Sequence, residues 1–163
     1  MKSEMHRHVR TPAKYFRSRL LFLILWLLTA VSCQEVENPV PVWRVYLNLD
    51  LAFEDKELKA VPAYKTYTIK DVNLAQGESI GYGGVLVVHN MFGEYKAFDL
   101  SCPYETSQDV LVEVDDEVLY AVCPVCGTKY DVGTGNGAPN GKSRHSLRIY
   151  NVIQNGNKLV VTN

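Results

Sequence analysis

Four cysteines, four histidines and two tryptophans are few for a chain of 163 residues. No long amphipathic helical period and no internal repeat run through it, which sets aside helical bundles and repeat arrays. No glycine-rich loop stands ahead of a helix to cradle phosphate, and no Ser/His/acid set falls in a recognisable motif. Nucleotide and hydrolase chemistry therefore have no support. Cys123-Pro124-Val125-Cys126-Gly127 is half of a zinc knuckle, but no second Cys pair completes a four-cysteine site. No helix N-terminus follows it to lower a thiol pKa, which weighs against thiol–disulfide catalysis.

What is present begins with a basic leader. Lys2, Arg7, Arg10, Lys14, Arg17 and Arg19 precede an apolar run over residues 20–28, then Thr29-Ala30-Val31-Ser32-Cys33. A basic segment and a short apolar one make a secretory signal, too short for a comfortable transmembrane helix. The small residues before Cys33 resemble the lipobox of bacterial lipoproteins, in which that cysteine becomes the lipidated first residue. An uncleaved anchor helix is the alternative. Either way the expectation is a chain held at a membrane of the cell envelope, outside the cytoplasm. Residues 1–32 are read as signal peptide, 33–42 as a lipid-anchored linker and 43–163 as one domain. The linker is polar and carries Pro39 and Pro41; fully extended, ten residues reach at most ~35 Å.

Removing the leader changes the charge. Of 17 basic groups six are lost, leaving 11; of 18 acidic groups only Glu4 is lost, leaving 17, a formal net charge of −6. Phosphate backbones repel such a domain, so no nucleic-acid partner is expected. With Cys33 acylated, Cys102, Cys123 and Cys126 remain, an odd number in an oxidising compartment. Three thiols near one point suggest metal more than stapling, with a Cys123–Cys126 disulfide and one spare thiol as the metal-free alternative.

Beyond Trp43 the pattern is one of strands. Residues 44–51 alternate polar and apolar, as in a half-buried strand. Residues 54–59 suit a helical turn limited by Pro62, and 64–69 a second strand. The glycines at 81, 83 and 84 lead into residues 85–89, a continuous apolar run fit for burial on both faces. Residues 95–100 deliver the chain to Cys102. A hairpin over 110–114 and 118–122 delivers it to Cys123, and another over 147–153 and 158–162 closes the domain. The fold class is all-β, built of short strands.

Ser101-Cys102-Pro103-Tyr104 and Cys123-Pro124-Val125-Cys126-Gly127-Thr128-Lys129-Tyr130-Asp131 carry the chemistry. Together they resemble the two cluster-holding loops of a Rieske iron–sulfur domain. Gly137-Ala138-Pro139, Leu147, Tyr150 and Val152 resemble that family's Gly-Pro loop and final strand, so the likeness covers residues 83–163. In the family the loops read Cys-x-His and Cys-x-x-His and hold a [2Fe–2S] cluster. Here both histidines are replaced, by Tyr104 and Cys126.

The resemblance implies a β-sandwich whose two-loop tip binds the cluster. By position, Cys102 and Cys123 would bind the inner iron, leaving Cys126 and Tyr104 for the outer one. A phenolate must lose a proton of pKa near ~10, so Tyr104 reads more readily as a packing residue. Thr128 and Tyr130 match positions whose hydroxyls donate to cluster sulfurs in high-potential relatives. Ser107 and Val125 stand where those relatives carry a disulfide. His89, ending an apolar strand, reads as a structural histidine, and His145 as solvated. The function implied is electron transfer by a membrane-anchored lipoprotein with an altered [2Fe–2S] centre and a protein redox or envelope partner. The alternative is a zinc-bound or metal-free Rieske-fold scaffold. No catalytic role is expected.

Overall fold

β1 (Val45–Asp50) buries Val45, Leu47 and Leu49 and exposes Tyr46 and Asn48, as its alternation predicts. This computed structural model describes residues 37–70, 74–115, 117–118 and 120–163. The signal peptide, Cys33 and the start of the linker lie outside them. Residues 37–163 form one compact unit.

After a short 3₁₀ turn, Lys56–Lys59, the strands are β2 (Ala63–Tyr67), β3 (Ser79–Ile80), β4 (Val85–His89), β5 (Tyr95–Asp99), β6 (Glu113–Val114), β7 (Tyr120–Val122), β8 (Lys129–Asp131), β9 (Ala138–Asn140), β10 (Ile149–Asn155) and β11 (Lys158–Thr162). Seven form the body, in the order β2-β4-β5-β10-β11-β1-β3, and four form a small sheet, β6-β7-β8-β9. All pairings are antiparallel. β10 joins the halves of the body: Ile149 and Tyr150 pair with β5, and Asn151 to Asn155 pair with β11. β1 closes on β11, with Tyr46 opposite Thr162. The described residues adopt the expected all-β class.

The apolar run of β4 has a physical reason. All five of its residues are buried, and the four apolar ones divide between two cores. Val85 and Val87 face the body core with Leu47, Leu58 and Leu159, while Leu86 and Val88 face a second core with Phe98, Leu100 and the three cysteines. β5 does the same, with Ala97 on one side and Phe98 on the other. Period-2 alternation becomes invisible when both faces are covered. β4 and β5 thus form a wall with the body behind it and the site in front.

Three expectations shift in detail. The hairpin over 110–122 is shorter than its apolar pattern suggests, because residues 110–112 serve the first loop: Cys102 N–H donates to Val110 O and Val112 N–H to Leu100 O. β8 and β9 form at residues 129–131 and 138–140, which the sequence marks by motif and not as strands. Within the segment read as linker, Asn38 Nδ2 donates to Ser146 O at 2.8 Å, Arg148 bonds the carbonyls of Asn38 and Val40, and Val40 is buried.

Candidate metal centre

The first loop is rooted by a buried carboxylate. Asp99, the last residue of β5, accepts from Ser101 N–H at 2.7 Å, Gly83 N–H at 3.2 Å, Tyr82 N–H at 3.3 Å and the Tyr150 hydroxyl at 2.5 Å. Burial raises the pKa of this carboxyl, four donors satisfy its oxygens, and they fix the backbone just ahead of Cys102. Beyond Cys102 the chain turns back: Thr106 N–H donates to Cys102 O at 2.8 Å, and Thr106 itself has φ of 51°. A β-branched residue rarely adopts that conformation, so strain sits at the loop.

The second loop joins β7 to β8 as a tight knuckle. Gly127 N–H donates to Cys123 O, Cys123 N–H donates to Thr128 O, both at 2.9 Å, and Cys126 N–H points at Cys123 Sγ at 3.5 Å. Gly127 has φ of 72°; no atom lies within 4 Å of where its Cβ would be, so the backbone angle requires the glycine, not crowding.

The loops bring Cys102, Cys123 and Cys126 together, all buried, with their sulfurs within 4.8 Å of one another. Cys102 Sγ and Cys126 Sγ are 3.7 Å apart. Each sulfur meets a donor. Tyr130 is fully buried with its hydroxyl 3.1 Å from Cys102 Sγ. Burial, and then the neighbouring Cys102, push its pKa upward, so it stays a phenol and donates to the sulfur.

Thr128 Oγ1 lies 3.1 Å from Cys126 Sγ and accepts Lys142 N–H at 3.0 Å and Ser143 N–H at 3.2 Å. A hydroxyl has two lone pairs and one proton. The two N–H groups fill the lone pairs, leaving the proton to donate to Cys126. Burial would raise that thiol's pKa, but the Thr128 hydroxyl and backbone N–H outweigh it and hold it below the usual range. Cys123 goes the other way: burial pushes it up to about 12 despite the N–H groups of Cys126 and Val125.

The expected set is thus brought together in part. Cys102, Cys123, Cys126, Thr128 and Tyr130 converge. Tyr104 is 53% exposed, lining a hollow with Lys142, Arg144 and His145. His89 is structural: it stacks on Tyr95 at 4.1 Å and its Nδ1 lies 2.8 Å from Ala60 O. His145 is half-buried, between Ser143 and the hollow, with its N–H donating to Ser143 Oγ. Sequence reasoning missed Asp99, whose one signal is an acid ending an apolar strand two residues before Ser101-Cys102. It also missed the 142–143 backbone, which leaves no signal in side chains.

Soft thiolates with hydroxyl and amide donors fit the ligand chemistry of an iron–sulfur group. They would supply three of its four protein ligands; no fourth His, Cys, Asp or Glu joins them among the described residues.

No protein-family model and no curated protein matches the chain. Among solved structures it is similar to the ferredoxin of carbazole 1,9a-dioxygenase from Nocardioides aromaticivorans IC177. The identity is 22% over 74% of this chain and 95% of that one, with a TM-score of 0.43, a likeness of general β architecture.

Proposed function

We propose that the chain is an envelope electron carrier of Rieske type, in which Cys102, Cys123 and Cys126 hold an altered [2Fe–2S] centre. The observation that carries this reading is the buried trio of sulfurs within 4.8 Å, each met by a hydrogen-bond donor. Such a centre, when bound, supplies one-electron transfer. The chain's own part is to bind, tune and shield. Cys126 gives up its proton more readily than Cys123. The Tyr130 and Thr128 hydroxyls draw charge from the sulfurs, and the β4–β5 wall excludes water.

Three thiolates make the centre about one charge more negative than two thiolates and two imidazoles, which pulls its potential toward ~−400 mV. The hydroxyls offset part of that shift. Without imidazole ligands, electron transfer is uncoupled from protons near neutral pH.

The reading extends to location and partners. Cys33 carries the lipid, and the partner is a redox or envelope protein. The basic leader, the short apolar run and the small residues before Cys33 support this. Cys33→Ala should move the chain from the membrane fraction to the soluble one; a variant still sedimenting with membranes would argue for an uncleaved helix.

A second reading, a zinc-bound scaffold, has one observation in its favour. Bonds of ~2.3 Å to one tetrahedral ion place two sulfurs ~3.8 Å apart, and Cys102 and Cys126 stand at 3.7 Å. Metal and acid-labile sulfide analysis of protein purified without oxygen separates the two. About two irons and two sulfides per chain support the cluster. About one zinc and no sulfide support the scaffold.

A further inference from the structure

Beside the centre lies a hollow of about 320 Å³, lined by Tyr104, Thr106, Lys142, Ser143, Arg144 and His145 among others. No acidic side chain lines it, in a domain whose formal charge is −6 once residues 1–32 are set aside. Lys142 and Arg144 are exposed. Among the described residues the ion pairs use Lys65 and Lys96, not these two. Two cations without counter-charge, an imidazole and the side chains of Tyr104 and Thr106 therefore surround one space.

The segment that carries the cations is not a loose surface loop. Lys142 N–H and Ser143 N–H both bond Thr128 Oγ1, and the Ser143 hydroxyl donates to His145 O at 2.9 Å. Gly141 has φ of 143°, and a Cβ there would come within 2.9 Å of Thr128 Cα, so the segment passes this close to Thr128 only as glycine. The opposite wall, Pro103 and Tyr104, follows directly on Cys102. Both sides of the hollow are thus fixed to residues that hold sulfur.

We propose that this hollow is a binding subsite for a carboxylate. Arg144 offers a planar fork that pairs both oxygens at once, and Lys142 offers a point charge beside it. A long polyanion such as nucleic acid is disfavoured by the net charge around the hollow. The carboxylate belongs either to a free organic acid or to an acidic side chain of a docked protein. The subsite does not require that the centre hold metal, and it gives such a ligand a seat on the segment whose backbone holds the Thr128 hydroxyl against Cys126.

The test is an amide-shift titration of the full ¹⁵N-labelled chain in detergent. Sodium succinate and a polyglutamate peptide are the two probes, and sodium chloride at equal ionic strength is the control. The expected result is saturating movement of the Ser143, Arg144 and His145 amides with a probe and not with chloride. The Lys142→Ala/Arg144→Ala double variant should weaken that binding at least about tenfold, the effect of losing one charge-assisted pair. Unmoved amides in β4 and β5 verify that the variant is folded. Response to succinate assigns the subsite to a free acid; response to the peptide alone assigns it to a protein partner. No response beyond chloride, or undiminished response in the double variant, overturns the proposal.

Discussion

The two cores on either side of the β4–β5 wall are stabilised by different means. Behind the wall, β1, β10 and β11 pair over five residues each and enclose mostly aliphatic side chains, with Leu58, Val85, Val87, Leu159 and Val161 fully buried. In front, β6 to β9 are two or three residues long, and the core includes three thiols and a tyrosine. Ladder length and aliphatic burial stabilise the body, at roughly 1.5–3 kcal/mol per fully buried large side chain. The tip adds to its apolar packing a set of contacts to sulfur, and those become strong when the sulfurs are charged or bound. Order in the body is set by packing alone, and order in the tip by packing together with chemistry at sulfur.

That difference can be broken from either side. Cys123→Ser should abolish metal uptake and any visible absorbance while the body's β signal and melting persist; an unchanged spectrum would remove Cys123 from the ligand set. Leu47→Ala, behind the wall, should cost about 2–5 kcal/mol in urea unfolding and leave the metal content of folded protein unchanged. A loss of metal with it would show the cores to be one unit.

Smaller effects sharpen the contrast. Exposure of metal-free protein to oxidised glutathione should link Cys102 to Cys126, the pair at 3.7 Å, across the two loops. Peptide mapping that finds Cys123 joined to Cys126 instead would mean the knuckle, not the wall, sets sulfur positions. Smallest of all, Tyr104→Phe should leave spectrum and potential where they are, since its ring is half exposed. A shift would make the phenol a ligand.

Much of the body was legible because its physics is periodic. Alternation placed β1, and a run too apolar for one-sided burial placed β4. In the tip, the strand pattern placed the hairpin before Cys123, and the motif placed the site. Cys102, Cys123, Cys126, Thr128 and Tyr130 stand out by type and spacing, and the fold draws them together. What the sequence hides is whatever depends on backbone groups or distant pairs. The two N–H groups that orient the Thr128 hydroxyl come from Lys142 and Ser143, whose side chains give no hint of it. The Asp99–Tyr150 bond spans the domain, and no local pattern announces it. The strand β9 carries Pro139 and Asn140, where propensity argues against strand and tertiary pairing prevails.

The pairing of β1 with β11 bears on how the domain comes into being. Tyr46 must wait for Thr162. Until the last strand emerges, β1 presents an open edge able to pair with another chain. Closure of so long a loop is slow compared with the making of local hairpins. The β10–β11 hairpin can form early and by itself, so the final event is the docking of a finished hairpin between two distant strands, β5 and β1. A chain interrupted before Lys158 would hold all three cysteines on an unclosed body.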